Sequence, residues 1–404
     1  MNPATLRAKQ MNKRKIATYV IIHEEATRIE IASALGISTG TVTNIVTELI
    51  RENLLYESRK TNISAGRKTT FLKFNGGISY ILCVEISSKD DLILSVCDLL
   101  GTRLYHEAYT VPFLITDDNP TNSVLRMIID IVTEYLGNLS EDVREKICAI
   151  GVSICGMVDS KQFVDIPIYN WKNINLKAPL QTASKLPVYV ENVTRIKSVY
   201  EMRWVKPQEK NVLYLNMSPG IGITHYFGGS LIEGHTGISG EAGHMSLNIH
   251  GEKCYCGNRG CFELYCDQRA IISRARALLT ESNRNDLFYD LAVNQEEPVT
   301  LDLIAKAHSM GSLAIQGLLL ETAEYLGSGI ANLYNIFDPD RLIISGLGAD
   351  FDSFLINAAT AEAKSRIVNI FGRDLNISSA HLKGNENYKA VSAYVLQKQL
   401  NILI

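Results

Sequence analysis

His244, Cys254, Cys256 and Cys261 lie within eighteen residues, in the run Glu241-Ala-Gly-His244-Met-Ser-Leu-Asn-Ile-His-Gly-Glu-Lys-Cys254-Tyr-Cys256-Gly-Asn-Arg-Gly-Cys261-Phe-Glu263. Thiolate and imidazole are the ligands Zn²⁺ prefers, and four protein ligands close its tetrahedron without leaving a position for water. The chemistry this spacing predicts is a structural zinc site. Gly257 and Gly260 let the chain turn tightly enough to aim three sulfurs at one point. A set of small buried core cysteines is the competing reading. Cys83, Cys97, Cys148, Cys155 and Cys266 are scattered among apolar neighbours and read as reduced core residues.

A second group suits nucleic acid. Ser38, Thr39, Thr41, Thr43 and Asn44 are short hydrogen-bonding residues at the start of a periodic segment. The spacing predicts a helix from Thr39 to Asn53, capped by Ser38, with Val42, Ile45, Val46, Leu49 and Ile50 on one face. Before it, Thr27 and Glu30 form a capping-box pattern opening a helix that stops at Gly36, and residues 10–23 supply a further helix. Two helices joined by Gly-Ile-Ser make a helix-turn-helix, whose second helix starts with side chains suited to the major groove. Arg59 to Lys68, followed by the strand-like Thr69 to Phe74, reads as a hairpin wing, with Arg67 and Lys68 placed to grip phosphates or enter a minor groove. Charge agrees: residues 1–75 hold twelve Lys or Arg against six Glu and no Asp, so they carry +6 while the rest of the chain carries −9. A basic head on an acidic body predicts a polyanionic partner. A protein-binding head with a solvated basic face is the alternative.

These residues must be carried by a body large enough for more than one core, since the chain has 404 residues, 46% apolar. From Ile78 onward apolar strands alternate with helices, which implies α/β layers. Ser79–Val84, Leu92–Val96 and Ile147–Val152 read as strands of one sheet. Val188–Val190, Val212–Leu215 and Ile221–Phe227 read as the beginning of another, and Arg341–Ser345 belongs to the second lobe. Helical stretches lie at 121–137, 266–279 and 312–336. No apolar run reaches the ~18 residues a membrane span needs, and the first residues lack a signal-peptide apolar region. The expectation is a cytoplasmic protein with no membrane partner.

Glu-Ala-Gly-His244 followed by Cys-x-Cys-Gly-x-x-Gly-Cys-x-Glu263 resembles the signature of the ROK family, which groups bacterial sugar repressors with sugar kinases. The chain is identified as a member of its regulator branch. The resemblance implies an N-terminal winged helix-turn-helix followed by a two-lobed, actin-like (ribonuclease H-like) α/β domain. The implied boundaries are 1–76 for the head, 77–190 with 381–404 for the first lobe, and 191–380 for the second lobe with the zinc. It also implies a sugar or sugar derivative in the cleft, contacted by Gly156, Asn192, Glu241, His244 and Glu263. Asn192 is equally suited to capping the helix that follows it. His244 would serve both metal and sugar, one ring nitrogen to each.

Kinases of this family begin with a pattern like Asp-x-Gly-Gly-Thr. Here the corresponding stretch is Glu85-Ile-Ser-Ser-Lys89, without either glycine. Their catalytic base lies in a Glu-Asn-Asp segment, whereas this chain has Glu191-Asn192-Val193. A positioned base is worth ~10²–10⁴-fold in rate, and valine cannot accept a proton. The later loops, Ser218-Pro-Gly-Ile-Gly222 and Ser345-Gly-Leu-Gly348, are altered too. The resemblance therefore points away from an enzyme. It points toward a repressor of carbohydrate-utilisation genes that binds operator DNA as a homodimer or homotetramer and responds to a sugar effector. A sugar kinase with an appended DNA-binding head and a zinc-stabilised protein-interaction module are the alternatives. Which sugar or sugar phosphate is bound stays open.

Overall fold

The computed structural model describes residues 3–63, 67–87, 91–114, 121–206, 208–346, 351–368, 372–382, 384 and 386–400, with the side chains of 3–5, 60–63, 67, 68, 121, 122 and 400 outside the description. The wing tip at 64–66, the Arg67 and Lys68 side chains, Ser88 and Lys89 of the first loop, and Leu347 and Gly348 of the last therefore lie outside the described residues.

The head is built from α1 (Pro3–Ile22), β1 (Ala26–Thr27), α2 (Arg28–Leu35), α3 (Thr39–Arg51), β2 (Leu55–Ile63) and β3 (Arg67–Phe74). Local signals set its boundaries. The Thr27 side chain accepts from the Glu30 N–H, and the Glu30 carboxylate accepts from the Thr27 N–H at 2.7 Å, an arrangement typically worth ~1 kcal/mol. α2 ends at Gly36 in the left-handed conformation. Ser38 then caps α3 by accepting from the Thr41 N–H at 3.2 Å. Val42, Ile45, Val46 and Leu49 bury against Ile16, Val20, Ile31 and Leu72, the i, i+3, i+4, i+7 stripe of an amphipathic helix. β2 and β3 pair antiparallel as the wing, and β1 adds to β3 to give the order β1-β3-β2.

The first sheet of the body contains β4 (Tyr80–Ile86), β5 (Asp91–Asp98), β6 (Arg103–Thr110) and, after helices α4 (Thr121–Asn138) and α5 (Glu141–Lys146), β7 (Ile147–Ile154). A small sheet follows, of β8 (Met157–Val158), β9 (Val164–Ile166) and β10 (Trp171–Ile174), then α6 (Lys177–Ser184) and β11 (Val188–Asn192). The order β11-β7-β4-β5-β6 corrects one expectation: Val188–Val190 does not begin the second sheet. α6 carries the chain back over the sheet, so β11 pairs parallel to β7, with Val188 opposite Ile150. Helices cover both faces of this sheet, so its central strands are almost wholly apolar. Leu82 and Val84 face α4 through Ile128 and Val132. Ile81 and Cys83 face the other way, toward Val391 and Val395.

Helix α7 (Val193–Glu201) leads to the second sheet: β12 (Asn211–Asn216), β13 (Gly222–Phe227) and β14 (Ser230–Leu231). Next come α8 (Glu263–Cys266), α9 (Gln268–Ala277), α10 (Leu287–Tyr289), α11 (Leu301–Ser309) and α12 (Leu313–Phe337). β15 (Arg341–Ser345), α13 (Asp352–Arg366), β16 (Ile377–Ser379) and α14 (Asn387–Leu400) complete the chain. The helix expected at 266–279 is two helices, because Asp267 accepts from the Ala270 N–H and starts α9 afresh. The sheet order is β14-β13-β12-β15-β16. Leu318, Leu319 and Ile330 of α12 are core, whereas Leu320 is exposed. α14 returns to the first sheet and packs on α7, as Val391 and Val395 do against Ile81 and Ile196. Among the described residues no single helix is long and apolar enough to cross a membrane. α11 and α12 pass by length and composition only as a pair bent by 114°, and α12 is largely core.

Candidate metal centre and ligand cleft

The loop after β14 runs into a single 3-10 turn, Ala242–His244, and the chain then folds back through the bridges Ser246 to Cys261 and Lys253 to Arg259. This knot requires glycine at one position above all. A Cβ on Gly260, which has a φ of +60°, would sit 1.7 Å from the Asn248 carbonyl oxygen. The result brings one ligand atom each from His244, Cys254, Cys256 and Cys261 within 4.8 Å of one another. Cys256 Sγ is 3.7 Å from Cys261 Sγ, and Cys254 Sγ is 3.8 Å from His244 Nδ1. Sulfurs bound at ~2.3 Å around a tetrahedral ion lie about 3.8 Å apart, so the donor set fits a metal ion. Burial pushes the Cys254 and Cys261 thiols up. A cation at their centre offsets that cost by binding the thiolates.

His244 faces two ways. Nδ1 lies on the sulfur side, while Nε2 lies 3.5 Å from the Tyr255 hydroxyl and 4.0 Å from Glu241 Oε2. Glu263, the first residue of α8 and 2% exposed, places Oε1 3.3 Å from Cys254 Sγ and 3.5 Å from His244 Nδ1. The Tyr255 hydroxyl donates to its other oxygen at 3.5 Å. Glu241 keeps a side chain 40% accessible. Even so, the surrounding walls desolvate its carboxyl and push its pKa up, with His244 pulling the other way.

A cavity of about 100 Å³ opens beside this centre, and Gly156, Asn192, Glu241, His244 and Glu263 all line it. The structure thus brings together these five residues, from the β7–β8 turn, the end of β11, the 3-10 turn with the residue before it, and the start of α8. Gly156 is there for packing as well, since a Cβ would come 2.6 Å from Ile166 Cγ1. Asn192 caps α7, its Oδ1 accepting from the Thr194 N–H at 2.8 Å, and its Nδ2 donates to the Gly156 carbonyl at 2.6 Å. Among the described residues, its second carboxamide N–H has no acceptor. Trp171 is a packing residue that donates through Nε1 to the Phe113 carbonyl at 2.9 Å.

Among the polar lining residues that the sequence did not single out are Arg195, Tyr255 and Arg269. Arg195 is buried, ion-paired to Glu191 at 3.6 Å, and donates to the carbonyls of Gly237 and Ser239. It ties α7 to the loop that carries Glu241. Arg269 pairs with Asp267 at 2.9 Å, and Asp267 also accepts from the Gly220 N–H at 2.9 Å. Tyr255 was discoverable, since it sits between two metal-ligand candidates. Lys197 is buried behind the cleft and donates to Asn216 Oδ1 at 3.4 Å and Ser218 Oγ at 3.2 Å.

On the head, Thr39, Thr43 and Asn44 are exposed, and Thr41 is half-buried. Part of the expected hydrogen-bonding capacity is used locally. Ser38 Oγ and Thr41 Oγ1 bond each other at 2.8 Å, and the Thr43 hydroxyl donates to the Thr39 carbonyl. Lys9 and Lys13 of α1 pair with Glu48 of α3 and Glu52 at its C-terminal cap, each at 2.5 Å.

Residues 82–398 match the model of the ROK family. Over 397 residues the chain is 25% identical to a xylose repressor of Bacillus spizizenii, covering 98% of this chain and 97% of that protein. It is 23% identical over 394 residues to the N-acetylglucosamine repressor of Escherichia coli O157:H7, covering 97% and 93%. Among solved structures, a ROK family transcriptional regulator, a homologue of the E. coli MLC protein, shares the fold with a TM-score of 0.72 at 23% identity, over 98% of each chain. The cysteine signature that first suggested the relationship is thus one part of a match running through most of the body, and this chain belongs to the ROK family.

Proposed function

We propose that this protein is a sugar-responsive transcriptional repressor. The observation that carries the reading is the union, in one chain, of a winged helix-turn-helix with a cleft where Gly156, Asn192, Glu241, His244 and Glu263 converge. Both repressors named above align along nearly their full length. α3 enters the major groove with Thr39, Thr43 and Asn44 at base edges and Ser38 and Thr41 shaping its start, while Arg67 and Lys68 grip phosphates from the wing. Two copies bind two half-sites as a homodimer, or as part of a homotetramer. The head ends near residue 76, and the lobes divide at 190/191, with 381–404 returning to the first. The protein works in the cytoplasm, where its operator lies.

The metal is Zn²⁺ in a structural role. Its four donors are all protein groups, which leaves no position for water. It holds the 3-10 turn and α8 in place, and with them Glu241, His244 and Glu263. The sugar bridges these second-lobe residues to Gly156 and Asn192 and so favours one lobe angle. That can shift DNA affinity only by the ligand's difference in affinity between the two states.

Phosphoryl transfer is not part of this function. The carboxylates lining the cleft, among the described residues, are Glu241 and Glu263. Glu263 is engaged by Cys254, His244 and Tyr255, and Val193 opens α7 beside the cleft. Lys197 occupies Ser218, in the loop where a kinase of the family would hold phosphate. Incubation with ATP, Mg²⁺ and a sugar panel is expected to give no sugar phosphate above a protein-free control. Turnover that Glu241→Ala abolishes would overturn the reading in favour of a DNA-binding kinase.

A further inference from the structure

Helix α3, assigned above to the major groove, is short of positive charge. It carries Glu48 and one cation, Arg51, and Glu52 caps its end. The positive charge of the head is concentrated in α1, which holds Arg7, Lys9, Lys13, Arg14 and Lys15 and no acid. Only the second half of α1 enters the core, through Ile16, Ala17, Val20 and Ile21. From residue 6 to residue 15 no side chain is buried, and Leu6 and Met11 are exposed. This half runs along α3 instead. Lys9 meets Glu48 and Lys13 meets Glu52, one helical turn further on for both partners, each at 2.5 Å.

The two ion pairs fix a direction. Moving from Lys13 to Lys9 along α1 moves from Glu52 to Glu48 along α3. The start of α1 therefore lies toward the end of α3 that holds Thr39, Thr43 and Asn44. A groove between the helices is walled by Ala8, Lys9 and Asn12 on one side and by Asn44 and Thr47 on the other, so α1 shares a face with the reading residues. The major groove is about 12 Å wide and admits one helix, while packed helices lie about 8–10 Å apart. With α3 in the groove, α1 cannot follow it and must lie over the phosphate backbone at the groove's edge. Bare carboxylates there would repel phosphate, and the Lys9 and Lys13 ammonium groups cancel both.

Resting on the DNA-binding reading above, we infer that the first half of α1 is a further DNA-contacting element beside α3 and the wing, and that its partner is the phosphodiester backbone bordering the major groove. Arg7 and Lys15, both exposed, contact phosphates. Lys9 and Lys13 are positioning residues, which hold this arm along α3 and mask Glu48 and Glu52. The contact carries no base preference, because phosphate contacts fix register without reading sequence. α1 thus sets how tightly the head holds DNA, and α3 sets where.

The test is a salt series of DNA titrations with the full-length protein, using a fragment from upstream of its own gene or the genes beside it, and mixed-sequence DNA for comparison. Each phosphate contact contributes about 0.9 to the slope of log K against log salt. Arg7→Gln combined with Lys15→Gln should therefore lower the slope by about 1.8 and weaken both DNAs equally, at least about tenfold at ~0.15 M salt. Arg7→Lys with Lys15→Arg keeps both charges and should keep both the slope and the affinity. Arg284→Gln with Lys364→Gln removes two exposed second-lobe cations and should change neither, which separates contact from net charge. Thermal unfolding of each variant confirms that it is folded. An unchanged slope, a loss confined to the selective fragment, or an equal loss in the second-lobe variant would overturn the proposal while leaving the repressor reading intact. Absence of selective binding by the unaltered protein would instead overturn the DNA-binding reading itself.

Discussion

Cys261→Ser is expected to abolish metal binding and to destabilise the second lobe by several kcal/mol. The side chain is fully buried, with its sulfur 3.7 Å from Cys256 Sγ. Structural zinc sites contribute binding free energies of about 10–16 kcal/mol in isolated peptides. A preformed lobe retains part of its order without the metal, so the loss here is smaller. Without the ion, burial keeps the Cys254 and Cys261 thiols protonated, and the 3-10 turn is left tied to the Cys254–Cys261 knot by hydrogen bonds such as that from Asn258 Nδ2 to the His244 carbonyl at 3.1 Å. Glu241 and His244 would then lose their fixed positions, and sugar binding should fall with stability. The measurement is metal content by mass spectrometry together with thermal unfolding. Chelating the unaltered protein should reproduce the loss and added Zn²⁺ should reverse it, which separates metal removal from the mere burial of a serine hydroxyl. Full metal content with an unchanged unfolding temperature would contradict the assignment.

Arg195→Met should cost about 3–5 kcal/mol, the usual consequence of removing one partner of a buried ion pair. Glu191 is left with the Asn192 N–H and the Tyr394 hydroxyl as hydrogen-bond partners. The sign of the pH dependence follows from its carboxyl. Burial already raises the Glu191 pKa, and Arg195 is the largest force pulling it down. With Arg195 gone the pKa rises further, so the folded variant binds a proton more tightly than the unfolded chain. Its stability deficit should therefore shrink as pH falls from 8 toward 5 and the carboxyl takes up that proton. Arg195→Met combined with Glu191→Gln should recover part of the loss, giving a coupling energy that neither single change predicts. Sugar affinity should fall as well, because Arg195 holds the 237–239 segment that leads into Glu241. A deficit under about 1 kcal/mol, or one independent of pH, would mean that the pair carries little of the load assigned to it.

Much of this was legible in the chain because the signals are local. The Thr27–Glu30 capping box and the Ser38 cap each act within a few residues, and the four candidate metal ligands lie within eighteen, so spacing alone locates them. The lining of the cleft is a different matter. Arg195 reads as an ordinary helical arginine until β11 and the loop at 237–239 are brought together in space. β6 escaped notice because it is an exposed edge strand with a polar sequence, Arg-Leu-Tyr-His-Glu-Ala-Tyr-Thr. The turn signal for it was present at Gly101, whose φ is +86°. Placing Val188–Val190 in the wrong sheet has a similar cause. A short apolar strand reveals that it is buried but not which partner buries it, and here the α6 crossover decided. Asn192 was seen both as a cap and as a ligand contact, and the structure gives its amide oxygen to the cap.

The most direct test of the central claim is fluorescence anisotropy of labelled DNA fragments from upstream of the protein's own gene and of the genes beside it, titrated with the full-length protein at ~0.15 M salt. Nonspecific phosphate contacts are weak under those conditions. The account predicts sequence-selective binding, and at least about tenfold weaker affinity once the cleft-binding sugar is present at saturation, a coupling of ~1.4 kcal/mol. That release should disappear in Glu241→Ala, whose head is untouched. Selective DNA binding that no sugar alters, or release that persists in Glu241→Ala, would contradict it.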